Sequence, residues 1–345
     1  MSDVLYLAWR YLAYHKIKTV ILVASITLIV FLPVGLNVIV GQSAEELTAR
    51  AEATPLLVGA KGSPLELVLS SLYFDANRPE LTRYGESLRV GESGLATPIP
   101  LYVRFRSRDS PIVGTTLDYF DFRGLSFAEG RPMAVLGESV LGARVAEELG
   151  VGVGDTVVSS PESVFDLAGV YPLKMQVVGV LSPSYTVDDE AIFVDIKTTW
   201  VIQGLVHGHQ DLAAPEAAAG VLKKDGDTIT ANASVVQYNE ITPDNVDSFH
   251  FHGGMEGYPI SGVVAVPHDQ KSGTILMGRY EAAEEVSQIV QPAAVMNELL
   301  GTILTIREFV VAALILVAVA TLATAALVFL LSLRLRRREI DTMSK

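Results

Sequence analysis

The sequence predicts a membrane protein in which two transmembrane α-helices with stalk extensions flank a large α+β extracytoplasmic domain. Three observations predict it. Two long apolar stretches without charge lie near the two ends of the chain. Basic residues sit on the terminal side of each. The acidic middle alternates short β-prone runs with amphipathic helical ones.

From Thr19 to Ala44 there is no charged residue over 26 positions, and from Phe309 to Leu333 there is none over 25. A helix needs about 20 apolar residues to cross the hydrocarbon core of a bilayer. Both stretches meet that length, and no other does. The first is too long for the apolar region of a secretion signal, about 7–15 residues, and "GQSAEEL" after it is a poor cleavage site. It reads as a retained anchor. Pro33 inside it implies a kink, which neighbouring helices can accommodate. In the second span Ala318, Thr321 and Ala325 form a small-residue stripe suited to close helix packing.

The flanks set the orientation. Residues 1–18 carry Arg10, Lys16 and Lys18 against Asp3, and residues 332–345 carry five Lys/Arg against Glu339 and Asp341. Both flanks are predicted to be cytoplasmic, because basic residues favour that side. The whole chain carries −13, so the remainder, beyond the membrane, carries −18. Such an acidic domain repels nucleic acid and anionic lipid. With no cysteine its fold owes nothing to disulfides. The organisation expected is a cytoplasmic amphipathic segment at 1–18, membrane helix 19–44, extracytoplasmic domain with stalks 45–305, membrane helix 306–333 and a basic cytoplasmic segment 334–345. Leu5, Trp9 and Leu12 share a helical face in the first segment, fit either for an interfacial helix or for the first turns of the membrane helix.

Beyond the first span, "GQSAEELTARAEATP" reads as a helix continuing to Pro55. On the other side, Val286, Ile289, Val290, Met296, Leu299, Leu300, Ile303 and Ile306 recur at helical spacing, predicting a helix that runs straight into the second span. Between these stalks "PLLVGA", "LYVRFRS", "PIVGTTL", "MAVLGE", "DTVVSS", "KMQVVGVL", "AIFVDI", "SVVQY" and "SGVVAVP" are β-prone, while "LELVLSSLYF" and "SVLGARVAEELG" are helical. That mixture predicts the α+β domain. "DLAAPEAAAGVLKKDGD" is marked by Pro and Gly as a surface loop.

Catalytic signatures are missing. "GVGVGD" follows a helix and precedes "TVVSS", so it reads as a helix C-cap and a turn, not as a dinucleotide loop. G-x-x-x-x-G-K-[ST], G-x-S-x-G and H-E-x-x-H occur nowhere, which favours a protein that is not an enzyme. The histidines are the exception. Four of the six form two H-x-H pairs, His207/His209 and His250/His252. On a strand, residues two apart share a face, so each pair could contribute to one zinc or copper site, with Phe249 and Phe251 facing the core. Asp211, Asp247 and Glu256 are near in sequence. The plainer reading is a polar strand edge that happens to carry histidines.

The architecture, together with "GAKGSPLELVLSSLYF", "PIVGTTLDYFDFRGLSFAEGRPMAVLGESVLGARVAEELGVGVGDTV", "YPLKMQVVGVL", "FVDIKTTWVIQGLVHGH" and "LRLRRREIDTMSK", resembles the MacB/FtsX/LolCE-type permeases of ABC transporters over nearly the whole chain. The resemblance implies a MacB-like periplasmic core domain and a permease driven by a separate ABC ATPase subunit. It further implies a second permease copy or partner permease, a periplasmic adaptor in some members, and the bacterial inner membrane. It makes Arg336, Arg337, Arg338 and Glu339 candidates for coupling to the ATPase. Family members carry two further membrane helices after this segment, expected here from a longer chain or a second polypeptide. A two-anchor sensor and a metal-handling domain built on the H-x-H pairs are the alternatives.

Overall fold

The computed structural model describes the chain outside residues 1–5, 7–8, 11, 15, 77–78, 161–171, 209–220, 226–227, 232–237, 283 and 344–345. It divides into two compact units, Met1–Ala49 with Met296–Lys345, and Arg50–Val295.

The first unit is built on helix α1 (Lys16–Glu52) and helix α8 (Pro292–Met343), the two helices among the described residues that are long and apolar enough to cross a membrane. No residue in the most apolar window of either is buried. Ile21, Phe31 and Ile39 of α1 and Phe309, Leu316 and Leu327 of α8 stand exposed. The central helix of a soluble protein would bury such residues, and apolar surface of this extent calls for lipid or a partner to cover it. The polar residues do not interrupt the surface. Ser25, Thr305, Thr321 and Thr324 each donate to the carbonyl four residues back, at 2.8–2.9 Å, so their hydroxyls are satisfied within the helix. Pro33 lies inside α1. With Asn37 it lines a cavity of about 460 Å³ whose far wall carries Arg307 and Glu308 of α8.

The second unit is organised by one mixed sheet of ten strands. In chain order these are β1 (Leu56–Ala60), β2 (Ala96–Ser107), β3 (Ser110–Thr115), β4 (Phe127–Gly130), β5 (Glu138–Leu141), β6 (Thr156–Val158), β7 (Lys174–Leu181), β8 (Ile192–Asp195), β9 (Gly262–Pro267) and β10 (Ser287–Val290). Their spatial order is β10-β1-β9-β2-β3-β8-β5-β7-β4, with β6 also on β7. The β3–β8 and β5–β7 pairs are parallel and the others antiparallel. Central strands such as β1, β5 and β8 are buried at nearly every position, which is why "LLVGA" and "IFVD" read as continuous apolar runs rather than alternating ones. Trp200, Tyr102, Tyr119 and Phe193 are the bulkiest fully buried side chains.

Around the sheet lie helices α2 (Pro64–Leu72), α3 (Gly85–Glu92), α4 (Asp118–Arg123), α5 (Ala143–Leu149), α6 (Ile196–Ile202) and α7 (Gln270–Gly278). Their ends follow local chemistry. Ser63 accepts from the Glu66 amide ahead of Pro64, a side-chain cap with proline in the first turn. Asp269 caps α7 in the same way, and left-handed glycines at 124 and 150 end α4 and α5.

Four expectations are corrected. Val286 to Val290 do not continue the stalk helix. Ser287–Val290 is the edge strand β10, paired with β1, and the helix begins at Pro292. Proline disfavours helix at the residue before it and suits the first helical turn, so the break falls there. "SVLGARVAEELG" is not one helix: Ser139 to Leu141 belong to β5, and α5 follows Gly142. A side chain at position 142 would collide with the Asp188 and Asp189 carbonyls. "MAVLGE" supplies only its last residue to a strand. In the expected surface loop, Val221–Asp225 is a strand of a hairpin with Thr228–Ala231, while its earlier part and most of "SVVQY" lie outside the described residues.

The sheet also fixes how the chain enters and leaves. β1 follows α1 after three residues, and β10 precedes α8 by one. The two strands are antiparallel neighbours, with Leu57 opposite Val290. The start of β1 and the end of β10 therefore lie at the same end of one strand pair.

Candidate functional site

Arg50 stands in the last turn of α1, where a cation suits the negative end of the helix dipole. Its guanidinium is buried, and all three of its nitrogens donate hydrogen bonds. Nη1 donates to Asp188 Oδ2 at 2.7 Å and Nη2 to Asp188 Oδ1 at 2.9 Å, a two-pronged pairing. Nη2 also donates to the Tyr119 hydroxyl at 2.7 Å, and Nε donates to the Leu72 carbonyl. The hydroxyl in turn donates to Asp188 Oδ1 at 2.7 Å, closing a triangle. The Phe74 ring lies 5.2 Å from the guanidinium carbon. One side chain thus joins the end of α1 to α2, α4 and the 3₁₀ turn Val187–Glu190.

Asp188 is only 1 % exposed. Burial raises its pKa, but the Arg50 charge and the hydrogen bonds from Arg50 and Tyr119 outweigh it and hold the carboxylate below its ordinary range. Burial pushes the Tyr119 phenol well above its ordinary value, so it stays protonated and keeps its donor. A second arginine, Arg123, donates to Thr54 Oγ1 at 2.9 Å and lies 4.8 Å from the Phe122 ring centre. Burial, then the nearby Arg50 charge, lower its pKa, and its Nε has no hydrogen-bond partner. This joint is not announced by any motif in the sequence. Its one signal was an arginine in an otherwise acidic stalk, "AEELTARAEA".

The histidines form the second cluster. Strand Val206–Gly208 pairs antiparallel with strand Phe249–Phe251, placing His207 directly opposite His250. His252 follows on the same face as His250. The three ring centres form a nearly equilateral triangle with edges of 4.9, 4.9 and 4.8 Å. One ligand atom from each lies within 4.8 Å of the others. Phe249 and Phe251 turn the other way, as the alternation required, Phe249 buried and Phe251 packed on the core with Trp200 and Tyr258.

Local packing sets this register. Between the two histidines of "HGH", a side chain at Gly208 would lie 2.6 Å from the Phe249 ring, so only glycine lets that ring cover the strand. The Tyr258 hydroxyl accepts from the His252 amide at 2.9 Å and donates to its carbonyl at 3.1 Å. His250 Nδ1 lies 3.1 Å from the Ser248 carbonyl. A carbonyl can only accept, so Nδ1 carries a proton, and in the neutral ring Nε2 is then the lone-pair nitrogen.

The structure brings together His207, His250 and His252. His209 and Asp211 lie outside the described residues. Asp247 and Glu256 are not part of the grouping. Arg336, Arg337, Arg338 and Glu339 lie on the helical backbone of α8.

Residues 19–249 match the family model of the MacB-like periplasmic core domain. Among solved structures, the chain is similar to the extracellular domain of the ABC-type transporter YknZ from Gram-positive bacteria. The identity there is 12 %, over 68 % of this chain and 98 % of that one, with a TM-score of 0.37. It is also similar to the periplasmic region of MacB from Actinobacillus actinomycetemcomitans, at 11 % identity over 72 % and 93 % of the two chains, with a TM-score of 0.38. No curated protein matches the chain.

Proposed function

The chain belongs to the family of the MacB-like periplasmic core domain, the domain of MacB/FtsX-type ABC transporter permeases, and on that premise we propose that it couples ATP hydrolysis by a separate ATPase subunit to substrate handling at the outer face of the membrane. The observation that carries the coupling is the Arg50 joint. An apolar helix of 37 residues carries in its last turn an arginine, Arg50, that is paired out of water with Asp188 inside the folded domain. Displacement of such a helix is resisted by a charge pair with no water to replace it, so motion passes into the sheet rather than being lost in a loose linker.

Helix α8 supplies the second path. It continues without interruption from Pro292 to Met343, through Glu298–Glu308, after one residue from β10. Its basic end, with Arg336, Arg337, Arg338 and Glu339, is the segment that meets the ATPase. The basic flanks support cytoplasmic termini in a bacterial inner membrane, with the domain outside it. The permease itself hydrolyses nothing, consistent with a sequence that lacks a phosphate-binding loop. It works with a second permease copy or partner permease, whose helices cover the apolar faces of α1 and α8 together with lipid, and a periplasmic adaptor receives the substrate.

Co-expression with the ATPase encoded beside it tests the reading. The two should co-purify, and replacing Arg336, Arg337 and Arg338 by glutamates should weaken the association at least tenfold. A Gly-Gly insertion after Thr302 should leave the association intact and abolish transport. Undiminished transport with the insertion would overturn coupling through α8. Cysteines placed at Ser2, Ser160 and Ser344 report the topology: an impermeant reagent should label only Ser160→Cys in intact cells, and labelling at position 2 would overturn it.

A further inference from the structure

We propose that His207, His250 and His252 form a binding site for a borderline transition-metal ion, zinc(II) first, on the extracytoplasmic domain. The inference stands on the geometry of the cluster and does not depend on the transport reading. Residues 43 positions apart in the chain are brought opposite each other by strand pairing, His207 on His250, and His252 completes a triangle. Around a tetrahedral zinc ion with Zn–N near 2.0–2.1 Å, neighbouring nitrogens lie ~3.4 Å apart. The three ligand atoms lie within 4.8 Å of one another, so small side-chain rotations bring them onto one ion.

Three features favour a ligand set over three rings that only pack together. His250 Nδ1–H donates to the Ser248 carbonyl, the outer hydrogen bond that fixes the tautomer of a metal-binding imidazole and leaves Nε2 to face a metal. His252 has its backbone held at both ends by the Tyr258 hydroxyl, so the loop carrying it is positioned rather than free. That hydroxyl belongs to a buried ring packed 4.7 Å from Trp200, which gives the site a rigid apolar floor. The donor set is all imidazole, which suits zinc and copper and disfavours calcium and magnesium, whose ligands are oxygens. Three protein ligands among the described residues leave one position of a tetrahedron for a further ligand or water.

Calorimetry on the full chain, purified in detergent without a histidine tag, decides it. Zinc chloride alone should bind at one equivalent per chain. His207→Ala and His250→Ala should each weaken binding at least tenfold, and His268→Ala, an exposed histidine outside the cluster, should leave it unchanged. Should a strand variant fail to fold, His252→Gln reads the same site from an exposed position and should also lose at least tenfold. Cobalt(II) in place of zinc should give the strong visible bands of a four-coordinate ion, absent in His252→Gln. No binding heat with zinc, or binding unchanged in the triple variant lacking all three histidines, would overturn the site.

Discussion

Arg50–Asp188–Tyr119 and His207–His250–His252 are both polar clusters assembled from distant stretches of the chain, and they differ in how much water they admit. The arginine cluster is sealed: Asp188 is 1 % exposed and accepts from Arg50 and Tyr119 within a closed triangle. The histidine cluster opens outward, with two members half-buried and His252 exposed. A sealed cluster has its opposite charges paired and hydrogen-bonded out of water, so its charge holds parts of the molecule together. An open cluster of imidazoles can still be reached by something that arrives from solution. Exposure, more than residue type, separates a joint from a site.

The sharpest way to break the comparison is to remove one partner of the sealed pair. Arg50→Ala leaves the Asp188 carboxylate buried without its cation, and should cost the domain about 3–5 kcal/mol. Chemical unfolding followed by tryptophan fluorescence measures it, since Trp200 is in the core. If the joint matters for coupling more than for folding, Arg50→Met with Asp188→Leu should recover most of that stability while transport stays lost.

A smaller effect is expected from Gly208→Ala. Its methyl group would lie 2.6 Å from the Phe249 ring, and the ring must shift. Overpacking of this kind costs about 1–3 kcal/mol. It should also displace His207 from His250 and weaken zinc binding, read from the same calorimetric titration. Unaltered zinc affinity would mean that the cluster tolerates a looser register than the packing suggests.

Tyr258→Phe should cost about 1 kcal/mol, the worth of the hydroxyl's two hydrogen bonds to the His252 backbone set against the solvation they replace. Thermal unfolding should shift slightly, and zinc affinity should fall less than with His252→Gln. Equal losses would place the tyrosine's role at the metal rather than behind it.

The smallest effect near neutral pH is that of acid on the joint. The folded pKa of Asp188 is depressed, because Arg50 and its hydrogen bonds outweigh burial. Its contribution to stability is therefore complete above the ordinary carboxylate value, about 3.9, and is lost as pH falls through the lower folded value. Stability measured from pH 7 down to pH 3 should decline less steeply in Asp188→Asn than in the unaltered chain over the most acidic part of that range. Parallel curves would show that the carboxylate is not the group Arg50 stabilises.

Much of this was legible in the order of residues. Charge-free stretches from Thr19 and from Phe309 declare helices that need no tertiary partner to be recognised, because length and uniform apolarity are local properties. The strands at "LLVGA", "KMQVVGVL" and "IFVD" were equally plain as apolar runs between turn residues. The strand at Ser287–Val290 was not, because Ile289, Val290 and Met296 fit a helical period as well as they fit a strand. Pairing with β1 decided the matter, and Pro292 marked the break.

For the histidines, sequence alone determined the residue types and their alternation, and hence that His250 and His252 face one way and Phe249 and Phe251 the other. It could not determine that His207 meets His250, since strand register is fixed by packing, here by the Phe249 ring lying over Gly208. The Arg50 joint was still less accessible. Arginine, tyrosine and aspartate at positions 50, 119 and 188 carry no shared pattern, and a charge pair so distant in sequence exists only because the fold removes both partners from water at the same place. Sequence determined what depends on neighbours along the chain, the membrane helices and most strands, while tertiary structure decided which polar groups would meet and which of them water could still reach.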